Sequence, residues 1–508
     1  VVDNFNPGYK RLASIAGLAN KEITDWYPAE FQKTARLNLS EALLECRIMP
    51  LQLYSWGAPS PFFEDLPALM KKGLDGVIVS SGMQGLVDPA ADLVQFVELY
   101  GSKDGKNFVR IPAEVKYAVR KGKVLDAQDI TVKPLQKVSD YRYLKVHNTK
   151  EIKGVRSQYC QAFLMRESSP PLLKLSFADG KSQDLVESVR AIQSDKKPES
   201  GSFDQAQKIT SLFFDNYLPR SNRASVLFES GNRDVAEIRL YNNRASVISA
   251  NIKGNYDAVR RVVGKDMPIY LYGFDEANEL EHSNLRVAMK RAKQIAPGIK
   301  LVTTACNLKA DMDLYELLDI HCVCNAYAIP RLQREIAKKY GTVFWTYVGG
   351  GGYYPSGNFE RVDQPRINSR AFFWSMLCFD YISGFLYWDI NMWRQNKKLL
   401  SEPVFDWSKW NCSHGDYSGM GALFYPGPEG TIYPSLRSWT LRDGVEDVNV
   451  YRYAQELLKK YPNTLKKLEL DAIGSEIARS MTVWCQDIDK LENLREKLYN
   501  LVNSIEKK

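Results

Sequence analysis

Short apolar runs alternate with amphipathic stretches in the first hundred residues and again after residue 255, a pattern typical of an α/β protein. The runs are predicted to be strands because they are rich in β-branched and aromatic side chains and end at polar or glycine-containing loops. Seven strands are predicted, at residues 47–54, 76–81, 268–272, 300–305, 320–324, 343–348 and 384–388. Residues 94–99 are the candidate for an eighth strand, and residues 1–45 are predicted to be helical after a polar lead.

The pattern changes between residues 107 and 252 to short alternating runs with turn signals, such as YRYLKV and PLLKLSFADGK, which predict an all-β, sandwich-like module. Eight parallel strands with intervening helices predict a (β/α)8 TIM barrel whose third βα connection hosts this module. A doubly wound sheet is the alternative. The predicted segments are a first part of the barrel, an inserted β-rich module, the remainder of the catalytic barrel and a C-terminal extension with helices, at residues 1–106, 107–252, 253–400 and 401–508.

Charge and composition exclude several classes of function. The net charge of +8 comes from 68 basic and 60 acidic residues without a long basic stripe, so no nucleic-acid partner is expected. The longest apolar stretch, residues 371–387, is interrupted by Asp380, so no membrane span is expected. Eight dispersed cysteines without a CxxC pair and four scattered histidines argue against a metal site, and no glycine-rich phosphate loop or cofactor is predicted.

Aromatic residues make up 12% of the chain, and many follow predicted strands, where barrel enzymes carry their functional residues. Asn, Asp and Glu recur at the same places. Apolar sugar faces stack on aromatic rings while sugar hydroxyls pair with amides and carboxylates, so the collection predicts a glycan ligand. Trp345 and Tyr347 are two residues apart on one strand and share a face. The candidate ligand-binding residues are Trp56, Asn325, Tyr327, Trp345, Tyr347, Tyr353, Tyr354, Trp388, Asp389 and Asn391.

The adjacent acids Asp275 and Glu276 are the sharpest chemical feature. Taken alone, such a pair could also be the N-cap and a first-turn acid of the following helix. Neighbouring strand residues project to opposite sides, so they are poor candidates for the facing carboxyl pair of a conventional glycosidase. Asp389 is the other acid that directly follows a predicted strand. Substrate-assisted chemistry suits adjacent acids better, because one acid protonates the leaving oxygen while the other holds a 2-acetamido group.

Five motifs in order, YLYGFDEAN, WTYVGGGGYY, GFLYWDINMW, GALFYPGPEG and YPSLRSWTLRDGVEDV, resemble glycoside hydrolase family 123, which includes β-N-acetylgalactosaminidases. The resemblance covers residues 255–455 and is weaker over 40–100. It implies a (β/α)8 barrel and a retaining exo-β-N-acetylgalactosaminidase-like, substrate-assisted glycosidase. In it Glu276 would be the general acid/base and Asp275 would orient and stabilise the acetamido group. It also implies a secreted or periplasmic location. The chain departs from the family because its β-rich block lies inside the barrel rather than before it.

Two other functions remain open from the sequence. One is a glycosidase for a sugar without the acetamido group, with Asp389 paired to Glu276. The other is a non-catalytic glycan-binding protein.

The charged residues of the last motif are predicted to form a structural ion-pair network, namely Arg437, Arg442, Asp443 and Asp447.

Overall fold

The structure of the chain is a computed structural model. The described residues are 13–17, 23–24, 26–47, 49–51, 64–74, 76–79, 86, 97–121, 127–148, 173–185, 211–214, 224–242, 244–275, 282–304, 312–324, 330–348, 357–358, 362, 364–376, 381–393 and 419–506. No helix within these ranges is long and apolar enough to cross a membrane.

Strands and helices alternate before and after a long run of strands. The strands are β1 (Ala13–Gly17), β2 (Met49–Leu51), β3 (Val77–Ile78), β4 (Val97–Ser102), β5 (Val109–Ile111), β6 (Ala113–Arg120), β7 (Ala127–Pro134), β8 (Tyr143–Asn148), β9 (Leu173–Phe177), β10 (Ser182–Leu185), β11 (Ser211–Phe214), β12 (Ala224–Glu229), β13 (Val235–Asn242), β14 (Ile269–Asp275), β15 (Lys300–Thr304), β16 (Ile320–Cys324), β17 (Val343–Tyr347), β18 (Ile382–Tyr387), β19 (Phe424–Pro426), β20 (Ile432–Pro434), β21 (Ala478–Ser480) and β22 (Val483–Trp484). The helices are α1 (Ala29–Glu45), α2 (Leu66–Lys71), α3 (Arg244–Val263), α4 (His282–Ile295), α5 (Pro330–Tyr340), α6 (Ile367–Ser375), α7 (Leu436–Lys460), α8 (Thr464–Ile477) and α9 (Ile488–Glu506). Short 3-10 helices span Met312–Glu316 and Pro428–Gly430.

These residues form two compact units. One draws on Val1–Ser81, Asn255–Glu276 and Ile299–Lys508, and the other on Gly82–Gly254 and Ala277–Gly298.

The first unit is built on an eight-stranded sheet with the order β2-β1-β18-β17-β16-β15-β14-β3, and every paired neighbour is parallel. Read around a ring, this order is the order of the strands in the sequence, as in a (β/α)8 barrel. A doubly wound sheet instead reverses direction at a switch point, so the order disagrees with that alternative. The ladder ends at β2 and β3, although Cα atoms of these two strands approach within 8 Å. Closure into a complete barrel stays a prediction.

The sheet is strongly curved. The rings of Tyr270 on β14 and Trp345 on β17 have centroids 5.7 Å apart, although β15 and β16 lie between their strands. In a flat sheet three strand spacings of about 4.8 Å would separate them by roughly 14 Å. The two side chains therefore meet across the concave face of the sheet.

One barrel strand differs from the prediction. The strand at Ala13–Gly17 lies in a region predicted to be helical, and it pairs with both β18 and β2. The predicted eighth strand at residues 94–99 corresponds to β4, which instead pairs antiparallel with β5 and β8. The prediction that residues 94–99 join the parallel strands is therefore wrong, and Ala13–Gly17 is the eighth strand of that sheet.

The second unit contains two five-stranded antiparallel sheets, with the orders β10-β9-β13-β7-β6 and β11-β12-β8-β4-β5. One apolar core draws residues from both sheets, including Leu99, Val146, Val132, Leu175 and Ile238, each of which is fully buried. Two sheets that share one core form a sandwich, the architecture expected for the inserted module.

The outer face of β18 packs against three helices. Ala35, Leu39 and Leu43 recur every four residues along α1 and are fully buried, as expected for the apolar side of an amphipathic helix. Phe373 of α6 lies 4.8 Å from Phe385 of β18 between ring centroids. These residues join one core cluster that also includes Leu441, Val445 and Val448 of α7. The three helices therefore cover β18 on the face opposite the concave one.

The C-terminal helices are tied to α6 by a buried ionic group. Asp447 of α7 is fully buried, and its Oδ2 accepts hydrogen bonds from Arg370 Nη2 at 2.6 Å and Trp374 Nε1 at 3.2 Å. Its Oδ1 lies 2.6 Å from Nε of Arg495 on α9. Arg370 also donates to Glu492 of α9. Three helices therefore converge on one carboxylate.

Candidate active site

The described candidate residues lie at the carboxyl ends of β14, β17 and β18. Backbone pairing aligns Cys322 with Trp345 and Cys324 with Tyr347. Because Trp345 contacts Tyr270 across the concave face, alternation along β17 places Tyr347 on that same face, one pleat nearer the carboxyl end. Trp345 is 2% exposed and Tyr347 is 8% exposed. The two residues share a face, and Tyr347 is the closer of the two to the carboxyl edge of the parallel sheet.

The backbone of β14 carries Asp275 to the edge of the sheet. Asp275 is the last residue of β14 and its Cα partner is Thr304, the last residue of β15. The register shifts between Tyr272 and Asp275, and such bulges often lie beside active sites because they redirect side chains. Strict alternation therefore does not apply just before the acidic pair.

A buried hydroxyl pair holds the two strands together at this point. The Tyr272 hydroxyl lies 2.9 Å from Thr304 Oγ1, and both residues are at most 2% exposed. Since Thr304 is the register partner of Asp275, this hydrogen bond fixes the backbone next to the acid. The aromatic run before the acids was not predicted to have this role.

Asp389 and Asn391 follow β18 and are buried, at 5% and 0% exposure. Asp389 Oδ1 accepts a hydrogen bond from the backbone N–H of Asn391 at 3.0 Å. Asn391 also forms an isolated antiparallel bridge with Ala422. Both residues therefore shape the chain after β18, and in this structure little of their surface faces solvent.

Trp388 stands between β18 and this turn and is partly exposed. Its ring centroid is 6.4 Å from that of Tyr387, with the ring planes at 73°. A partly exposed indole at the carboxyl edge of the sheet offers a surface on which a sugar ring can stack.

Arg437 supports the same region in a way that the sequence did not indicate. Predicted to join an ion-pair network, it donates hydrogen bonds to the carbonyl oxygens of Gly419 at 3.0 Å and Ala422 at 2.6 Å. Asp447 does join such a network, as described above, and Arg442 Nη2 pairs with Asp443 Oδ1 at 3.2 Å. The pair of glycines at 419 and 421 was the available sequence signal for this tightly held segment.

The remaining candidates lie outside the described residues, and so does the side chain of Asp275. They are Trp56, Glu276, Asn325, Tyr327, Tyr353 and Tyr354. Within the described ranges, no three His, Cys, Asp or Glu side chains are grouped so that they could hold a metal ion.

The chain is similar to one protein-family model and, in part, to several solved structures. Residues 267–454, which run from the start of β14 into α7, match the family model "Glycoside hydrolase 123, catalytic domain". No curated protein matches. This match supports a glycoside hydrolase.

Solved structures with partial similarity include three glycosidases. A GH2 beta-galacturonidase from Eisenbergiella tayi bound to galacturonate is 12% identical with a TM-score of 0.24, covering 40% of this chain and 38% of that one. The catalytic core of a xylanase A is 12% identical with a TM-score of 0.24, covering 41% and 71%. A GH10 xylanase from Thermobacillus composti is 13% identical with a TM-score of 0.23, covering 40% and 70%. The family match confirms the expected resemblance: over residues 267–454 the chain is like the catalytic domain of glycoside hydrolase family 123.

Proposed function

We propose that this chain is a retaining, exo-acting β-N-acetylgalactosaminidase-like glycoside hydrolase that uses the 2-acetamido group of its substrate as the nucleophile. The observation that carries the proposal is the position of the acidic pair. Asp275 ends β14 at the carboxyl edge of the parallel sheet, Glu276 follows it, and both fall inside the region that matches the family's catalytic domain. Substrates of this kind are met outside the cytoplasm, which is the location we propose.

In this mechanism Glu276 transfers protons in both steps, and Asp275 holds the acetamido group. The acetamido oxygen attacks C1 while Glu276 donates its proton to the leaving glycosidic oxygen, so that the C1–O bond breaks as an oxazolinium ring closes. Asp275 accepts a hydrogen bond from the acetamido N–H and stabilises the positive charge of that ring. Glu276 then takes a proton from water, which attacks C1 and reopens the ring with retention of configuration. Tyr347 and Trp388 supply apolar surface for the sugar ring.

The alternative in which Asp389 is a second catalytic carboxylate has less support. Asp389 is 5% exposed and accepts the Asn391 backbone N–H, a contact that suits a turn-forming residue. A nucleophile must instead reach the anomeric carbon from within the pocket. The other alternative, a non-catalytic glycan-binding protein, would bind sugar without turnover.

The test is hydrolysis of an aryl β-N-acetylgalactosaminide by the wild type and by Glu276→Gln. General acid–base catalysis contributes about 10²- to 10⁴-fold, so the variant should lose at least about a hundredfold in kcat/KM. The matched control is Glu335→Gln, since Glu335 is exposed on α5 and pairs with Arg331 within the same helix. Equal rates for Glu276→Gln and the control would refute the assignment.

Three further measurements separate the candidate functions. A thiazoline analogue of the oxazoline should inhibit competitively, and activity that the analogue does not affect would exclude acetamido participation. Turnover of a plain aryl galactoside that is lost in Asp389→Asn would favour the second carboxylate. Saturable binding of N-acetylgalactosamine without any hydrolysis would indicate a binding protein.

A further inference from the structure

A short segment, Gly419–Phe424, runs along the chain that follows β18. The backbone N–H of Met392 donates to Gly421 O at 2.8 Å, and the N–H of Leu423 donates to Ile390 O at 2.9 Å. The Trp393 indole N–H donates to Phe424 O at 2.9 Å. Regular backbone bonding thus sets the distance between this segment and the residues around Trp388.

Gly421 has no room for a side chain beside Trp388. A Cβ atom at position 421 would lie 3.0 Å from both Cζ2 and Cη2 of the Trp388 indole and 3.2 Å from Cβ of Met392. These separations are shorter than the 3.5–4.0 Å at which carbon atoms pack without repulsion. The indole of Trp388 therefore rests against the bare backbone of Gly421, and a larger residue would push it away.

The segment itself has little freedom to yield. Gly421 has φ of +80°, its N–H donates to the buried Tyr387 hydroxyl at 2.9 Å, and its carbonyl is bound by Met392. Arg437, which is 7% exposed, binds the carbonyl oxygens on both sides of Gly421, those of Gly419 and Ala422. When a Cβ is added at position 421, the Trp388 side chain, which is partly exposed, is the neighbour that can move.

We infer that Gly421 is a positioning residue for the sugar pocket: its missing side chain sets where the Trp388 indole lies at the carboxyl edge of the barrel. This inference rests on the proposed function. The benzene half of the indole, which carries Cζ2 and Cη2, is the part that Gly421 contacts. A displaced ring changes how the substrate is held before any bond breaks, so KM responds more than kcat.

The experiment is a double-mutant cycle of Gly421→Ala and Trp388→Phe, with KM and kcat measured on the aryl β-N-acetylgalactosaminide. Gly421→Ala should raise KM by about threefold to tenfold, since restoring a normal carbon–carbon distance moves the indole by about 0.5 Å, and a displacement of about 1 Å can cost up to a hundredfold. Phenylalanine lacks Cζ2 and Cη2. In the Trp388→Phe background Gly421→Ala should therefore change KM less than about twofold, because the atoms through which it acts are gone.

Gly180→Ala is the matched control for backbone strain. Gly180 lies in the β9–β10 turn of the sandwich with φ of +79°, and nothing lies within 4 Å of the position its Cβ would take. It should lower the unfolding midpoint without changing KM. A Gly421→Ala variant with the KM of Gly180→Ala, or a cycle in which the two substitutions multiply independently, would overturn the inference.

A second readout does not depend on turnover. The near-ultraviolet circular dichroism spectrum of the wild type minus that of Trp388→Phe isolates the contribution of Trp388. Gly421→Ala should shift that contribution, and Gly180→Ala should leave it unchanged. If the wild type hydrolyses no aryl glycoside, the proposed function fails, and this spectrum still decides whether Gly421 positions Trp388. An unchanged spectrum would refute the positioning role.

Discussion

Replacing Asp447 by asparagine removes the carboxylate on which α6, α7 and α9 converge. The substitution keeps the shape of the side chain but removes its charge and places an amide against donors. Arg370, whose side chain is 8% exposed, then lies in the core without its buried counterion, although Glu492 still accepts one of its hydrogen bonds. Arg495 is 27% exposed and can recover part of its hydration.

Breaking a buried ion pair on one side costs about 3 to 5 kcal/mol, because the remaining charge stays in the low-dielectric interior. Glu492 reduces the loss, so we expect the free energy of unfolding to fall by about 3 kcal/mol. Glu492→Gln is the matched control. Its side chain is 48% exposed, and exposed ion pairs contribute about 1 kcal/mol or less.

Urea unfolding followed by far-ultraviolet circular dichroism and by tryptophan fluorescence measures both variants in the full chain. The helical signal should be lost at lower urea in Asp447→Asn, while Glu492→Gln should stay near the wild type. A loss below about 1 kcal/mol in Asp447→Asn, or one no larger than in the control, would refute the view that this network fixes the C-terminal helices.

Two further predictions concern other parts of the protein. Burial raises the pKa of Tyr27 from 10.0 to about 12, and its hydroxyl donates to Gly427 O and Thr431 O. Because the Tyr27 pKa is higher in the folded state than in the unfolded state, the hydroxyl makes its full contribution to the free energy of unfolding below pH 10. That contribution falls by roughly 2 to 3 kcal/mol as the pH rises to 12. Tyr27→Phe should remove that part of the alkaline loss in thermal melts between pH 9 and 12. An unchanged pH profile would contradict it. In the sandwich, a Cβ at Gly101 would lie 2.5 Å from Tyr141 Cγ and 2.7 Å from Ile111 Cδ1, so Gly101→Ala should cost about 1 to 3 kcal/mol of stability. The control is Gly254→Ala in α3, where nothing lies within 4 Å of the added Cβ position. Scanning calorimetry of both variants should show Gly101→Ala melting at a lower temperature than the wild type and Gly254→Ala melting at the same or a higher temperature.

The later barrel strands were predictable because each is a contiguous apolar run. Residues 320–324 and 343–348 correspond to β16 and β17, in which at least four of five residues are buried. Parallel strands covered on both faces have this pattern. Ala13–Gly17 was missed because its sequence, ASIAG, contains one β-branched residue and otherwise small side chains. Its strand conformation depends on pairing with β18 and β2, which no local signal reveals.

The motif around Asp275 predicted a strand that leads into the acidic pair, whereas the contacts that depend on packing were not predicted. The motif around Asp275 and Glu276 lies in the matched region and begins at a strand, as expected. The contacts of Arg437 with the carbonyl oxygens of Gly419 and Ala422 were missed, since these acceptors lie eighteen and fifteen positions earlier in the sequence. Charge alone suggested an ion pair. Backbone acceptors have no residue-specific signature, so only the folded structure identifies them.

The pairing of the first and last barrel strands sets the order in which the chain can fold during synthesis. Ala13 pairs with Gly384, and Val77 of β3 pairs with Ile269 of β14. In the sequence all strands of the sandwich lie between Val77 and Ile269. At about 5 to 20 residues per second, β1 waits for β18 and β3 waits for β14 on the order of ten seconds or more before these partners leave the ribosome. The sandwich, whose strands pair among themselves, can fold within that interval. The sandwich sequence between β3 and β14 therefore delays completion of the parallel sheet, and non-local pairing of this kind slows folding.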